Sequence, residues 1–269
     1  MRDYGIKPKK GLGQNFLTDE TYLAEITEAA HIDKNTDVLE IGAGFGSLTR
    51  HLAAAARHVT TVELDRQMIP ILEKVTRDFT NVRIVQGDIL KLPVNDLMDA
   101  SGYVVAANIP YYITSALIRY LLECTVKPSA IVLTIQREVA QRICAGAGKL
   151  SLLALSVQVY GSPRITARIP AEAFYPVPKV DSAVLTVKLY DQPMIPYELL
   201  DSFFRLAKAA FMQKRKMLHN ALTGVPELNK EKADLLLSLA GIDPKRRAQM
   251  LTIDEWNRLT RAYKDMLTN

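Results

Sequence analysis

Val104-Val105-Ala106-Ala107-Asn108-Ile109-Pro110-Tyr111-Tyr112 is the stretch around which the chain is organised. Its apolar opening reads as a parallel strand buried on both faces, since a sheet covered by helices shows runs of apolar residues rather than alternation. The run then stops abruptly at an amide, a proline and two aromatics. In open α/β sheets, ligands sit beyond the carboxyl ends of the strands, so residues 108–111 should project into a binding crevice. Asn108 offers a side-chain carbonyl, Pro110 fixes φ and carries no N–H, and Tyr111 offers a flat ring for stacking. Together they suit a planar substrate that bears an amino group. The bland counterpart is a strand-end turn with a buried tyrosine.

Upstream, Val38-Leu39-Glu40-Ile41 reads as another buried strand, followed by Gly42-Ala43-Gly44-Phe45-Gly46-Ser47 and a helix through Ala56. Glycines at such a turn let the backbone approach a ligand, and free N–H groups at the helix start favour a negative group. The dinucleotide fingerprint requires a third glycine where this chain has Ser47, so nicotinamide cofactors lose ground. Val59-Thr60-Thr61-Val62-Glu63 is the next strand, and Glu63 stands 21 positions after Gly42, where such folds set a carboxylate against ribose hydroxyls. Val82 to Asp88 repeats the pattern, which makes Asp88 a candidate acceptor for an adenine amino group. Either acid could instead be a helix cap, and Asp65 reads as a decoy.

Downstream, residues 115–123 and 137–144 read as helices, 130–135 as a strand, and 164–169 and 183–189 as two closing strands around Phe174-Tyr175-Pro176-Val177-Pro178-Lys179. The apolar segment 150–159 is read as a helix. After residue 197 strand signals cease, and helical patterns follow at about 197–211, 213–222, 229–240 and 254–267. The expected division is therefore an α/β domain over 1–190 and a small all-α domain over 191–269. Thr18 or Asp19 is placed to cap the first helix, and Thr252 with Glu255 forms a capping box for the last.

Of 269 residues, 48% are hydrophobic and 23% charged, an ordinary globular composition. No apolar segment approaches the ~18 residues of a membrane span, so a cytoplasmic location without membrane contact is expected. Cys124 and Cys144 lack metal-ligand spacing, and His31, His51, His58 and His219 show none either, so no metal is expected. The net charge is +5. Its distribution is more telling: Arg205, Lys208, Lys214, Arg215 and Lys216 fall in a stretch without any acid, and smaller basic groups occur at Lys7, Lys9 and Lys10 and at Lys245, Arg246 and Arg247. Three such clusters favour a polyanion over a merely solvated face.

Taken in order, Gly13-Gln14-Asn15-Phe16-Leu17, Glu40 to Gly46, Asn108-Ile109-Pro110-Tyr111, Phe174 to Ser182, Gln213 to Leu222 and Arg246-Arg247-Ala248 make a set far more specific than any member. Across nearly its whole length the chain resembles the bacterial rRNA adenine dimethyltransferases of the KsgA type. That resemblance implies a Rossmann-like class I methyltransferase domain, mostly parallel with a closing antiparallel hairpin, followed by a helical RNA-binding domain. It implies dimethylation of N6 on adenosines near the 3′ end of 16S rRNA in the small ribosomal subunit, with S-adenosyl-L-methionine as donor. Cofactor contacts are then expected from Asn15, Leu17, Gly42, Gly44, Glu63, Asp88 and Asn108, and catalytic contacts from Asn108, Ile109, Pro110, Tyr111 and Phe174. RNA contacts are expected from Lys208, Lys214, Arg215, Lys216, Arg246 and Arg247, and the chain is expected to act as a monomer. One departure is that residues 145–151 form a shorter loop than the family's and lack its tyrosine-glycine pair.

Three other readings stay open on the sequence: a large-subunit rRNA adenine methyltransferase of the macrolide-resistance type, a non-catalytic ribosome assembly factor with the same fold, and a DNA adenine methyltransferase. The second-domain motifs argue against the first. Intact Asn108, Tyr111 and Phe174 argue against the second.

Overall fold

The computed structural model describes residues 8–268. Lys7, one of the expected basic positions, lies outside the described residues, as does the side chain of Lys10. In chain order the elements are β1 (Phe16–Leu17), α1 (Glu20–Ala29), β2 (Asp37–Ile41), α2 (Ser47–Ala55), β3 (His58–Glu63), α3 (Ile69–Thr76), β4 (Val82–Gln86), β5 (Val104–Asn108), α4 (Thr114–Glu123), β6 (Ala130–Gln136) and α5 (Arg137–Ile143). They continue with α6 (Leu152–Gln158), β7 (Gly161–Ile169), β8 (Phe174–Tyr175), β9 (Ser182–Leu189), α7 (Leu200–Met212), α8 (Leu218–Ala221), α9 (Lys230–Leu239) and α10 (Ile253–Thr268).

Seven strands form one sheet in the order β4-β3-β2-β5-β6-β9-β7. Strands β2 to β6 pair in parallel, and β9 runs antiparallel to β6. The first four residues of β5 are buried, as is all of β6 between its ends, as expected where helices cover both faces. Chain order reverses between β2 and β5, which are hydrogen-bonded neighbours, so the crevice of this sheet opens beyond Ile41 and Asn108. Beneath it, Leu23 and Ile26 of α1 and Leu48 and Leu52 of α2 pack with Val38, Val104, Ala106 and Val132 of the sheet. The Asp19 carboxylate caps α1 by accepting from the Thr21 N–H at 2.9 Å.

The chain divides into two compact units. One comprises the described residues to Gln141 together with Ser162–Leu189, the other Arg142–Gly161 together with the described residues from Tyr190 onward. The chain does divide between Leu189 and Tyr190, near the expected boundary, but residues 142–161 group with the helical unit. The reason is local. Leu150, Ala154, Leu155 and Val159 are buried in the same cluster as Phe203, Trp256 and Tyr263, with the indole stacked on Phe211 at 6.1 Å. A correction concerns 213–222, where helix forms only over Leu218–Ala221. The reciprocal box at α10 forms as read, Thr252 N–H to Glu255 at 2.8 Å and Glu255 N–H to Thr252 at 3.2 Å.

Candidate functional site

The glycine turn after β2 carries the first wall of the site. Gly42 and Gly44 have φ of +79° and +55°, a region that side chains with a Cβ rarely adopt. Gly44 also has no room for one: a Cβ there would stand 2.9 Å from the Phe16 ring. That ring lies edge-on to Phe45, with centroids 4.6 Å apart. Tight turning presents the Gly44 N–H to Glu63 at the end of β3, whose carboxylate accepts from it at 2.8 Å and from the Asp65 N–H at 2.7 Å. Burial raises the Glu63 carboxyl above its ordinary value, with these two backbone donors pulling the other way. Asp88, past the end of β4, accepts from the Leu90 N–H at 3.1 Å.

Asn108 closes the opposite wall. Its Nδ2 donates to the Asn15 carbonyl at 3.2 Å, and because a carbonyl only accepts, this bond fixes which end of the amide is which. The Oδ1 atom makes no hydrogen bond among the described residues and remains an acceptor for a ligand. Gly13 packs flat against Pro110 and Tyr112, with room for a Cβ only 3.2 Å from the Tyr112 ring. Asn15, Leu17, Gly42, Gly44, Glu63, Asp88, Asn108, Ile109 and Pro110 all line one cavity, so nine of the residues expected from sequence meet at a single place.

Two do not. Tyr111 turns its hydroxyl to Ser182 Oγ at 2.7 Å, and Phe174 is 2% exposed, packed in the core cluster where β8 pairs antiparallel with β1. The aromatic that lines the cavity is Tyr112, 63% exposed, with Phe16 and Phe45. Alternation along an extended segment offers no way to choose between adjacent tyrosines once a 3₁₀ turn begins at Tyr111. Asp65, read as a decoy, is buried and bonded to the loop that forms the cavity's roof. Glu40 was also missed as a titrating group: fully buried beside Thr61, it accepts from Thr49 Oγ1 at 2.6 Å, and burial raises its carboxyl to about 7.

In the helical unit, Lys208, Lys214, Arg215, Lys216 and Arg247 are exposed and make no ion pair among the described residues. Arg246 differs. Its guanidinium is forked onto Glu255 at 2.5 and 3.1 Å and bonds the Met250 carbonyl at 2.6 Å, so it fastens the start of α10 while staying partly exposed. Arg205 is likewise paired, with Glu227 at 2.5 Å. Among the described residues, no group of three His, Cys, Asp or Glu side chains is arranged to hold a metal, and no helix is long and apolar enough to cross a membrane.

The sequence profile of the ribosomal RNA adenine dimethylase family matches residues 5–265. This chain belongs to that family. Among curated relatives, the ribosomal RNA small subunit methyltransferase A of Dehalococcoides mccartyi is 40% identical over 264 residues, covering 98% of this chain and 91% of the relative. Its namesake in Streptococcus equi subsp. zooepidemicus is 39% identical over 98% of this chain and 94% of the relative. Two crystal structures share the architecture: a dimethyladenosine transferase from Plasmodium falciparum (TM-score 0.79, 25% identity, 93% of this chain and 98% of the other) and the 23S rRNA methyltransferase ErmE (TM-score 0.75, 25% identity, 93% and 99%). Like both, this ribosomal RNA adenine dimethylase carries the Rossmann-like methyltransferase fold.

Proposed function

We propose that this protein dimethylates N6 of adenosines near the 3′ end of 16S rRNA in the small ribosomal subunit, using S-adenosyl-L-methionine. The observation that carries the reading is the meeting of Glu63, Asp88, the Gly42 turn and the open Oδ1 of Asn108 around one cavity. The donor set fits the cofactor: two carboxylates at neighbouring strand ends, both lining the cavity, suit ribose hydroxyls and an adenine amino group. When bound, S-adenosylmethionine supplies a methyl group on a sulfonium that is already a good leaving group. The chain's own task is to aim the amine.

An adenine amine is a weak nucleophile because its lone pair is delocalised into the ring. Asn108 Oδ1, with the Ile109 carbonyl, accepts from its N–H groups and favours the pyramidal nitrogen as charge develops. Anchoring of Nδ2 on Asn15 keeps that acceptor pointed without a search through rotamers. Tyr111, its hydroxyl held by Ser182 and next in sequence to the cavity's Pro110 and Tyr112, is the proposed stacking face, and Phe174 is packed in the core. Extraction of the base from RNA costs a few kcal/mol, offset by stacking on the order of 1–3 kcal/mol. Lys208, Lys214, Arg215, Lys216 and Arg247 are proposed phosphate contacts. Arg246 is already paired with Glu255, which leaves it less free to join that set.

The curated relatives at 39–40% identity are named as small-subunit methyltransferases, which favours the small subunit. Labelled methyl transfer into isolated small subunits, large subunits and duplex DNA tests the reading. Label confined to N6 of adenosines near the 3′ end of 16S rRNA is the expected result, and label in 23S rRNA or DNA alone refutes it.

A further inference from the structure

Residues 12 and 14–17 line one side of the cavity, and two contacts of the loop that carries them converge on a carboxylate outside it. Lys9 Nζ donates to Asp65 Oδ1 at 2.7 Å, Gln14 Nε2 donates to Asp65 Oδ2 at 3.2 Å, and the Lys9 N–H donates to Gln14 Oε1 at 2.7 Å. These bonds close a ring that ties one end of the loop to the end of β3. At its other end the loop is held by backbone pairing, Phe16 with Tyr175 and Leu17 with Phe174. Between the two anchors lies Asn15, whose carbonyl holds the Asn108 amide.

Asp65 does not line the cavity, and its side chain is 3% exposed. Burial of this carboxyl works against its charge, yet the hydrogen bonds from Lys9, the Gln67 N–H and Gln14 hold it below the ordinary range. A buried carboxylate at a strand end is often no more than a turn former, and Asp65 does accept from the Gln67 N–H at 3.1 Å. The Lys9 and Gln14 bonds lie outside that role, because such a turn needs neither.

We infer that Asp65 is a positioning residue: through Lys9 and Gln14 it fixes the 9–15 loop, so that it governs both retention of the cofactor under that loop and the aim of Asn108. This inference rests on the methyltransferase reading of the cavity and adds to it a part that touches neither cofactor nor base. The geometry couples the two effects. Freeing the loop at Asp65 removes the polar anchor on the N-terminal side of Asn15 and leaves β1 as the backbone anchor on the other, so the Asn108 amide has a less fixed partner.

Asp65→Asn separates latch from turn, since asparagine accepts from the Gln67 N–H as well as aspartate does but carries no charge for Lys9. Calorimetry with S-adenosylmethionine, hydrogen exchange and turnover at saturating cofactor are measured on the full chain. Expected are faster exchange in peptides covering 12–17, unchanged exchange in 104–108, cofactor affinity lower by about tenfold, the scale of one charge-assisted hydrogen bond, and a lower kcat. Lys9→Met should reproduce the affinity loss, and the double variant should be no worse than either single one. Unchanged loop exchange in both variants overturns the inference. So does faster exchange with affinity and kcat intact, because the latch would then hold the loop without acting on the site. Failure of the wild type to methylate rRNA would refute the functional reading separately, since loop exchange needs neither RNA nor turnover.

Discussion

Replacing Asn108 by alanine removes the open Oδ1 and the Nδ2 bond to Asn15 while leaving the backbone of β5, and its pairing with β6, in place. Two costs can be separated. The Asn15 carbonyl loses one hydrogen bond in a half-buried loop, about 0.5–1.5 kcal/mol of stability. The reacting amine loses an acceptor whose value grows as positive charge develops, and a single preorganised partner of that kind is worth about 2.7–4 kcal/mol, or roughly 100- to 1000-fold in kcat. Rate should therefore collapse with only a small change in folding. The assay is single-turnover transfer of labelled methyl groups to small subunits at saturating cofactor, with denaturant unfolding in parallel. A variant that turns over within about threefold of wild type, or one whose rate loss is matched by unfolding, refutes the assignment of Asn108 as the acceptor.

Glu40 makes a pH-dependent prediction. Its folded-state carboxyl titrates near 7 because burial disfavours the charge, whereas in the unfolded chain it titrates near its ordinary value of 4.5. Between those values the native state binds more protons, so stability should fall as pH rises through this window, by up to roughly 3 kcal/mol. Glu40→Gln should flatten that decline in urea midpoints taken from pH 5 to 8, and a decline of equal slope would contradict it. Gly44→Ala must adopt φ near +55° and displace Phe16; about 1–2 kcal/mol of strain and a lowered melting temperature are expected, together with weaker cofactor binding by calorimetry. Normal affinity would show that Phe16 yields without disturbing the site. Neutralising Lys214, Arg215 and Lys216 to glutamine should weaken subunit binding and lower the log–log salt slope by roughly 0.7–0.9 for each phosphate that is no longer neutralised, with cofactor affinity unchanged. An unaltered slope would make that cluster a solvated face.

What the sequence determined by itself was whatever depends on local pattern. Apolar runs ending in glycine, acid or asparagine marked β2, β3 and β5, because a strand buried on both faces tolerates little else. Short-range capping was equally legible at Asp19 and at Thr252 with Glu255, where donor and acceptor lie within three residues of each other. The ordered motifs identified the family and nine of the cavity's residues. Tertiary structure decided the rest, for reasons of reach and direction. Burial of 150–159 had to be against something, and only packing shows that its partners are Phe203 and Trp256. Between Tyr111 and Tyr112 the choice depends on where Ser182, 71 residues away, brings its hydroxyl. Arg246 is claimed by Glu255, although in sequence it is one more member of a basic cluster. Asp65 reads as a decoy until Lys9, 56 positions earlier, arrives beside it. Periodicity records that a side chain is covered, and pairing between distant polar groups depends on which loops the fold brings together.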